Sequence, residues 1–154
     1  MKTNHTRRNV LAYLLFAIVM VAGLLTSCKS SSDDPAPVVS KEDEVSALLT
    51  SATWKMSTVT VDGADKTSIY KDLKLTFTST GFTSVNGGAV WPASGTWDFT
   101  SAEATAIKRN DGVEVTLQEV TDASLKLALI WNKNTLGPGR IESVSGQHVF
   151  SFGK

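Results

Sequence analysis

Between Trp54 and Phe152 the chain alternates apolar and polar residues in short runs, and this period of two decides most of what it can fold into. The clearest runs are Trp54-Lys55-Met56-Ser57, Leu73-Lys74-Leu75-Thr76-Phe77-Thr78 and Trp97-Asp98-Phe99. Val113-Glu114-Val115-Thr116-Leu117-Gln118, Leu125-Lys126-Leu127-Ala128-Leu129 and His148-Val149-Phe150-Ser151-Phe152 complete the set. In a strand, successive side chains point to opposite faces, so each run buries one face and leaves Thr, Lys, Glu and Ser to water. Weaker runs lie at 82–85 and 105–108, which brings the expected number of strands to about eight. Between them stand Asp62-Gly63, Asn86-Gly87-Gly88, Asn110-Asp111-Gly112 and Thr121-Asp122-Ala123. Asp-Gly and Asn-Gly supply the positive φ of tight hairpins. The pattern predicts an all-β domain, an antiparallel up-and-down barrel of about eight strands, with a β-sandwich as the alternative.

The inward positions of these runs are Trp54, Met56, Leu73, Leu75, Phe77, Trp97, Phe99, Ile107, Val113, Val115, Leu117, Leu125, Leu127, Leu129, Phe150 and Phe152. Burying each is worth roughly 1.5–3 kcal/mol, enough together to offset the chain entropy of a domain this size without a disulfide. Ahead of them, Ser40 has a carboxylate three places on, and Val45, Leu48 and Leu49 follow at helical spacing. This predicts a short capped helix with one apolar stripe, too short to stand alone, that packs against the barrel end where the first strand begins.

The first residues have another character. Residues 1–9 are polar with Lys2, Arg7 and Arg8, residues 10–25 are sixteen apolar or small residues without a charge, and Thr26-Ser27-Cys28 follow. A positive segment, a short apolar segment and small residues before a break describe a secretory signal, whereas a spanning helix needs about 20 apolar residues. Leu25-Thr26-Ser27-Cys28 resembles the lipobox of bacterial lipoproteins, in which the cysteine is acylated and the peptide is cut before it; the alternative is an ordinary signal with a chance cysteine. The resemblance implies a signal peptide over 1–27, lipid on Cys28, a flexible tether over 28–39 and a domain over 40–154. Lys29, where Asp would resemble an inner-membrane retention signal, favours the outer membrane. Ser30-Ser31-Ser32-Asp33-Asp34 resembles the surface-export tether of certain anaerobic Gram-negative bacteria and suits a plain linker equally.

Residues 48–154 resemble the lipocalin-like domains of bacterial surface lipoproteins. A short helix precedes Trp54, Gly95-Thr96-Trp97 repeats a G-x-W pattern, and Phe150-Ser151-Phe152 would close a barrel against the first strand. The resemblance implies that fold and, with less force, a ligand pocket; fold alone does not fix function.

Composition narrows the chemistry. The 154-residue chain has 15 Lys and Arg against 15 Asp and Glu; losing Lys2, Arg7 and Arg8 with the signal leaves 12 against 15. That argues against nucleic acid as a partner, which calls for a clustered basic face. Cys28 is the lone cysteine, and His148 is the one histidine beyond the signal region. Triads, cysteine zinc sites and cofactor motifs are therefore not expected. Asp62 with Asp65, and Asp111 with Glu114, could touch Ca²⁺ but read better as turn residues, so no metal, no cofactor and no enzyme activity are expected. Trp54 and Trp97 fall inward. Trp91 and Trp131 fall at loops, where aromatic rings bind sugars or apolar molecules at low entropy cost, or cap the core.

The expectation is a lipid-anchored outer-membrane module, facing out, that binds a small apolar or glycan ligand at the barrel end opposite the helix, near Trp91 and Trp131. The alternative is an interaction or structural subunit of an envelope complex, or an adhesin, with a filled barrel.

Overall fold

A computed structural model of the chain describes residues 39–133 and 143–154. The expected signal over 1–27, Cys28, all but the last residue of the tether over 28–39, and most of the loop at 132–140 lie outside the described residues.

Helix α1, Lys41–Leu49, starts where its cap predicts. The Ser40 hydroxyl accepts the Asp43 N–H at 3.1 Å and donates to the Asp43 carboxylate at 2.7 Å, satisfying an amide that the helix itself leaves unpaired. Glu42, Asp43 and Glu44 place negative charge in the first turn, at the positive end of the helix dipole. Val45 and Leu49 are buried.

Among the described residues nine strands follow: β1 Thr53–Val61, β2 Ala64–Asp65, β3 Lys74–Phe77, β4 Gly81–Val85, β5 Ser94–Phe99, β6 Ala106–Arg109, β7 Glu114–Val120, β8 Ser124–Trp131 and β9 Gly146–Gly153. Eight of them, β1 and β3 to β9, pair antiparallel with their neighbours in chain order, and β9 returns to pair with β1. The sheet is thus a closed up-and-down barrel, not a sandwich. The two-residue β2 is an extra strand, hung on the end of β1 by the Asp62-Gly63 turn. Both turn residues have positive φ, 49° and 81°, as a two-residue hairpin of this twist requires. Register shifts in β1 after Met56 and in β7 after Leu117 are bulges, which bend strands and help a sheet curl onto itself.

The chain reverses at each hairpin, so every second connection falls at one end. Residues 62–73, 86–93 and 110–113 share the end opposite the start of β1, where β8 also ends and β9 begins. At the other end the Trp54 indole N–H donates to the Leu49 carbonyl at 2.8 Å, which fixes the last turn of α1 against the first strand. One continuous core runs from Val45 and Leu49 past Trp54, Leu75 and Leu127 to Phe150, Tyr70 and Trp91.

Candidate functional site

The barrel end opposite α1 gathers the chemistry-bearing residues, and it is closed. Trp91 comes from the 86–93 connection, which folds back over the barrel. Asn86 and Gly88 adopt positive φ, 58° and 63°. The Trp91 N–H donates to the Gly87 carbonyl at 3.0 Å, and the Ser84 hydroxyl lies 2.8 Å from the Trp91 carbonyl and 2.9 Å from that of Pro92. A Cβ on Gly87 would stand 2.2 Å from the Trp91 carbonyl oxygen, so this close fold needs a glycine there. The Trp91 ring is fully buried and meets Phe82 and Phe150 edge to face, with centroids 5.6 and 6.1 Å apart.

Arg109 closes the same end from β6. It lies two places after Ile107, on the inward face, and is buried to 2% exposure. Its guanidinium forks onto the Asp111 carboxylate through Nε and Nη2, donates from Nη1 to the Val90 carbonyl at 2.7 Å, and lies 4.8 Å over the Trp91 ring. A buried guanidinium needs such partners, since desolvation would otherwise expel it. The result is a latch tying the 86–93 connection to the β6–β7 turn.

Tyr70, from a short 3₁₀ turn at Thr67–Tyr70, reaches in from another side. Its hydroxyl lies 2.8 Å from His148 Nε2, and its ring meets Phe150 edge to face at 5.2 Å. His148 Nδ1 lies 3.1 Å from the Gly146 carbonyl. A carbonyl only accepts, so Nδ1 carries the proton and Nε2 accepts from Tyr70. Burial lowers the His148 pKa, against the opposing pull of the Gly146 carbonyl and Asp62, and raises that of Tyr70 to about 12. Both groups are neutral near pH 7.

These placements bear on the ligand site expected at Trp91 and Trp131. Trp91 and Trp131 do come to the same end, but they do not ring an open mouth. Trp91 is 0% exposed and Trp131 6%. Trp131 ends β8 on its inward face, where its indole N–H donates to the Ser143 hydroxyl at 3.2 Å, and Lys133 Nζ lies 5.4 Å over its ring. The reason is packing: with α1 closing one end, the apolar side chains of the other find cover only by folding inward. The hollows among the described residues include one of about 440 Å³ at this end, lined by Ile69, Ser84, Gly87 and Trp91 among others, and two larger ones. One of about 560 Å³ is lined by Glu114, Thr116, Ile130, Trp131 and Gln147 among others. Another of about 550 Å³ lies beyond Glu114, beside Asp98 and Lys108.

Three of the four carboxylates weighed for Ca²⁺, Asp62, Asp65 and Asp111, have structural partners. Asp62 accepts the Gln147 N–H and Asp65 the Thr67 N–H, each at 2.8 Å, and Thr67, through its side chain first and its backbone second, holds the Asp65 carboxyl below its ordinary pKa. Asp111 holds Arg109. Among the described residues no three His, Cys, Asp or Glu side chains gather as metal ligands, and no helix is long and apolar enough to cross a membrane. The buried Arg109 and the Tyr70–His148 pair went unassigned at the sequence level. Alternation was the signal for two of them, since Arg109 follows Ile107 and His148 precedes Phe150 by two. No family model, curated protein or solved structure matches the chain, so its function has to be sought in this geometry and in the sequence.

Proposed function

We propose that the protein is a non-enzymatic module of the bacterial envelope: a barrel anchored to the outer membrane by lipid on Cys28, facing the exterior, that serves as an interaction or structural subunit and works through its outer surface. The observation that carries this choice is the closed end. An eight-stranded barrel is just wide enough to be filled by its own side chains or to hold one small ligand. Here Trp91, Tyr70 and Phe150 pack ring against ring across the end where a guest would enter. Tyr70 and His148 are buried and bound to each other. The anchor half of the proposal rests on Leu25-Thr26-Ser27-Cys28 and on the short apolar segment before it.

A second reading keeps a small apolar or glycan ligand and moves it outside the barrel. The hollow beside Trp131 favours it, because its volume exceeds the about 300 Å³ at which ligand sites begin and it combines an apolar floor with polar neighbours.

Two measurements test these readings. Cross-linking in intact cells, with photoreactive residues on the outer faces of β5 to β8, should capture an envelope protein, while solvent extraction of the purified folded protein yields no stoichiometric small molecule. A stoichiometric apolar or glycan molecule in the extract would return the ligand reading. For the anchor, Cys28→Ala should abolish palmitate labelling and release the protein from the membrane fraction. Unchanged membrane partition would remove the lipoprotein reading.

A further inference from the structure

The outer faces of β1, β3 and β4 carry a charge pattern that the fold does not need. Lys55 and Lys74 stand directly opposite each other in the β1–β3 pair, and both are exposed. Opposed residues on one face of an antiparallel pair hold their Cβ atoms about 4.5–5.5 Å apart, and like charges there are destabilising. Neither ammonium has a carboxylate partner. The ion pairs among the described residues are Lys41–Glu44 and Arg109–Asp111. Asp72, two places before Lys74, pairs with neither lysine.

The same row continues on both sides. Lys74 also faces Val85 of β4, which is 55% exposed. Lys55 also faces Gly153 of β9, and the next residue, Lys154, holds its ammonium 5.8 Å over the Trp54 ring. The adjacent row is made of hydroxyls: Thr53, Thr76, Thr83 and Ser94, with the Thr53 and Thr76 oxygens 2.9 Å apart. No carboxylate stands in either row. Yet residues 39–154 hold 11 basic and 13 acidic side chains, so this cationic, hydroxyl-bearing face belongs to a slightly acidic domain. A like-charge pair without a partner, beside a ladder of hydrogen-bond donors, is complementary to closely spaced anions.

We propose that this face docks on an anionic bilayer surface, with Lys55 and Lys74 against lipid phosphates, the Thr and Ser hydroxyls donating to the same oxygens, and Val85 entering the headgroup layer. The proposal rests on the lipid-anchor reading. From Cys28 the chain has ten residues, 29–38, before the described domain begins, and ten residues span at most about 35 Å. An anchored barrel therefore stays close to the bilayer, where a weak electrostatic contact acts at high effective concentration. The docking row lies on β1, the strand that follows α1 and so stands nearest the tether in sequence. Anionic headgroups attract each lysine near the surface by enough for about a fivefold change in binding.

The test uses the chain from residue 28 with Cys28→Ser, so that no lipid contributes, sedimented with vesicles of phosphatidylcholine alone and of phosphatidylcholine mixed with phosphatidylglycerol. Binding should appear on the mixed vesicles alone and fade with salt. Lys55→Gln with Lys74→Gln should weaken it about 25-fold, at about fivefold per lysine, with a melting temperature unchanged or raised because the repulsion is gone. Lys108→Gln with Lys126→Gln, on β6 and β8, should leave it unchanged. Equal binding to both vesicles, or equal loss from the two double variants, overturns the proposal. So does capture by dextran sulfate without binding to the mixed vesicles, which would reassign the face to a free polyanion. Failure of the anchor reading is seen separately, as a wild-type chain without palmitate. If palmitate is present and the vesicles are not distinguished, the docking face alone falls.

Discussion

Trp91 shows how one residue changes what the protein can do. At a loop mouth it would be a platform for a ligand; packed under Arg109 and against Phe150 it is part of the core. Trp91→Ala should therefore cost about 3–5 kcal/mol in denaturant unfolding, the range for removing a large buried aromatic. A loss below about 1 kcal/mol would mark the ring as dispensable to the fold and reopen that end to a ligand. His148 gives a pH dependence with a definite sign. Its folded pKa is depressed by burial, so the unfolded chain takes up the proton first as pH falls. The contribution of the neutral, Tyr70-bound imidazole is complete above the ordinary histidine value near 6.5. It declines as pH drops through that value toward the folded pKa, by at most about 1.4 kcal/mol per pH unit. Unfolding free energies measured between about pH 7.5 and pH 5.5 should fall for the wild type and flatten in His148→Leu. Equal slopes in the two proteins would mean that His148 does not titrate differently on folding.

Among the elements, β9 carries the closure. It pairs with β8 over eight residues and with β1 over six, and it brings His148, Phe150 and Phe152 inward. Deleting residues 149–154 would leave two long edges unpaired, remove Phe152 from the core and strip Phe150 from the rings of Tyr70 and Trp91. The truncated chain should lose its cooperative melting transition and aggregate, as circular dichroism and light scattering would record. A sharp transition at the wild-type temperature would contradict a barrel that depends on the β1–β9 pairing. Helix α1 has a smaller part. It has nine residues and is held by a Ser40 cap, by Val45 and Leu49, and by the Trp54 indole, so it covers an end of the barrel without extending the sheet.

At the scale of the whole molecule, a barrel closed at one end by α1 and at the other by Trp91 and Tyr70 exposes little apolar surface. Only Val39, Val85 and Ile130 are exposed large apolar residues among those described. An apolar dye such as anilinonaphthalene sulfonate should stay dark with the native protein and brighten as acid or denaturant loosens the packing. Strong fluorescence at neutral pH, displaced by an apolar molecule, would point to an open interior. Under the proposed function recognition would use the outer face, where Lys55 with Lys74 and the hollows beside Glu114 and Ile130 stand on different strands.

Much of this was legible locally. The eight barrel strands, the Ser40 cap and the turns at Asp62-Gly63 and Asn86-Gly87-Gly88 follow from periods and residue preferences that act within a few positions. Because chain direction alternates at each hairpin, the sharing of one end by residues 62–73, 86–93 and 110–113 also follows from the strand count. The extra strand β2 and the 3₁₀ turn that delivers Tyr70 did not, since their residues show no repeat of either period. Nor did the inward turn of Trp91, the latch of Arg109 on Asp111 and Val90, or the bond between Tyr70 and His148, which join positions 19 and 78 residues apart. Alternation names the face a side chain takes within a strand, and turn chemistry names where the chain reverses. Where a loop comes to rest depends on which apolar surface is still uncovered once the barrel has closed, and that surface exists only in the folded molecule.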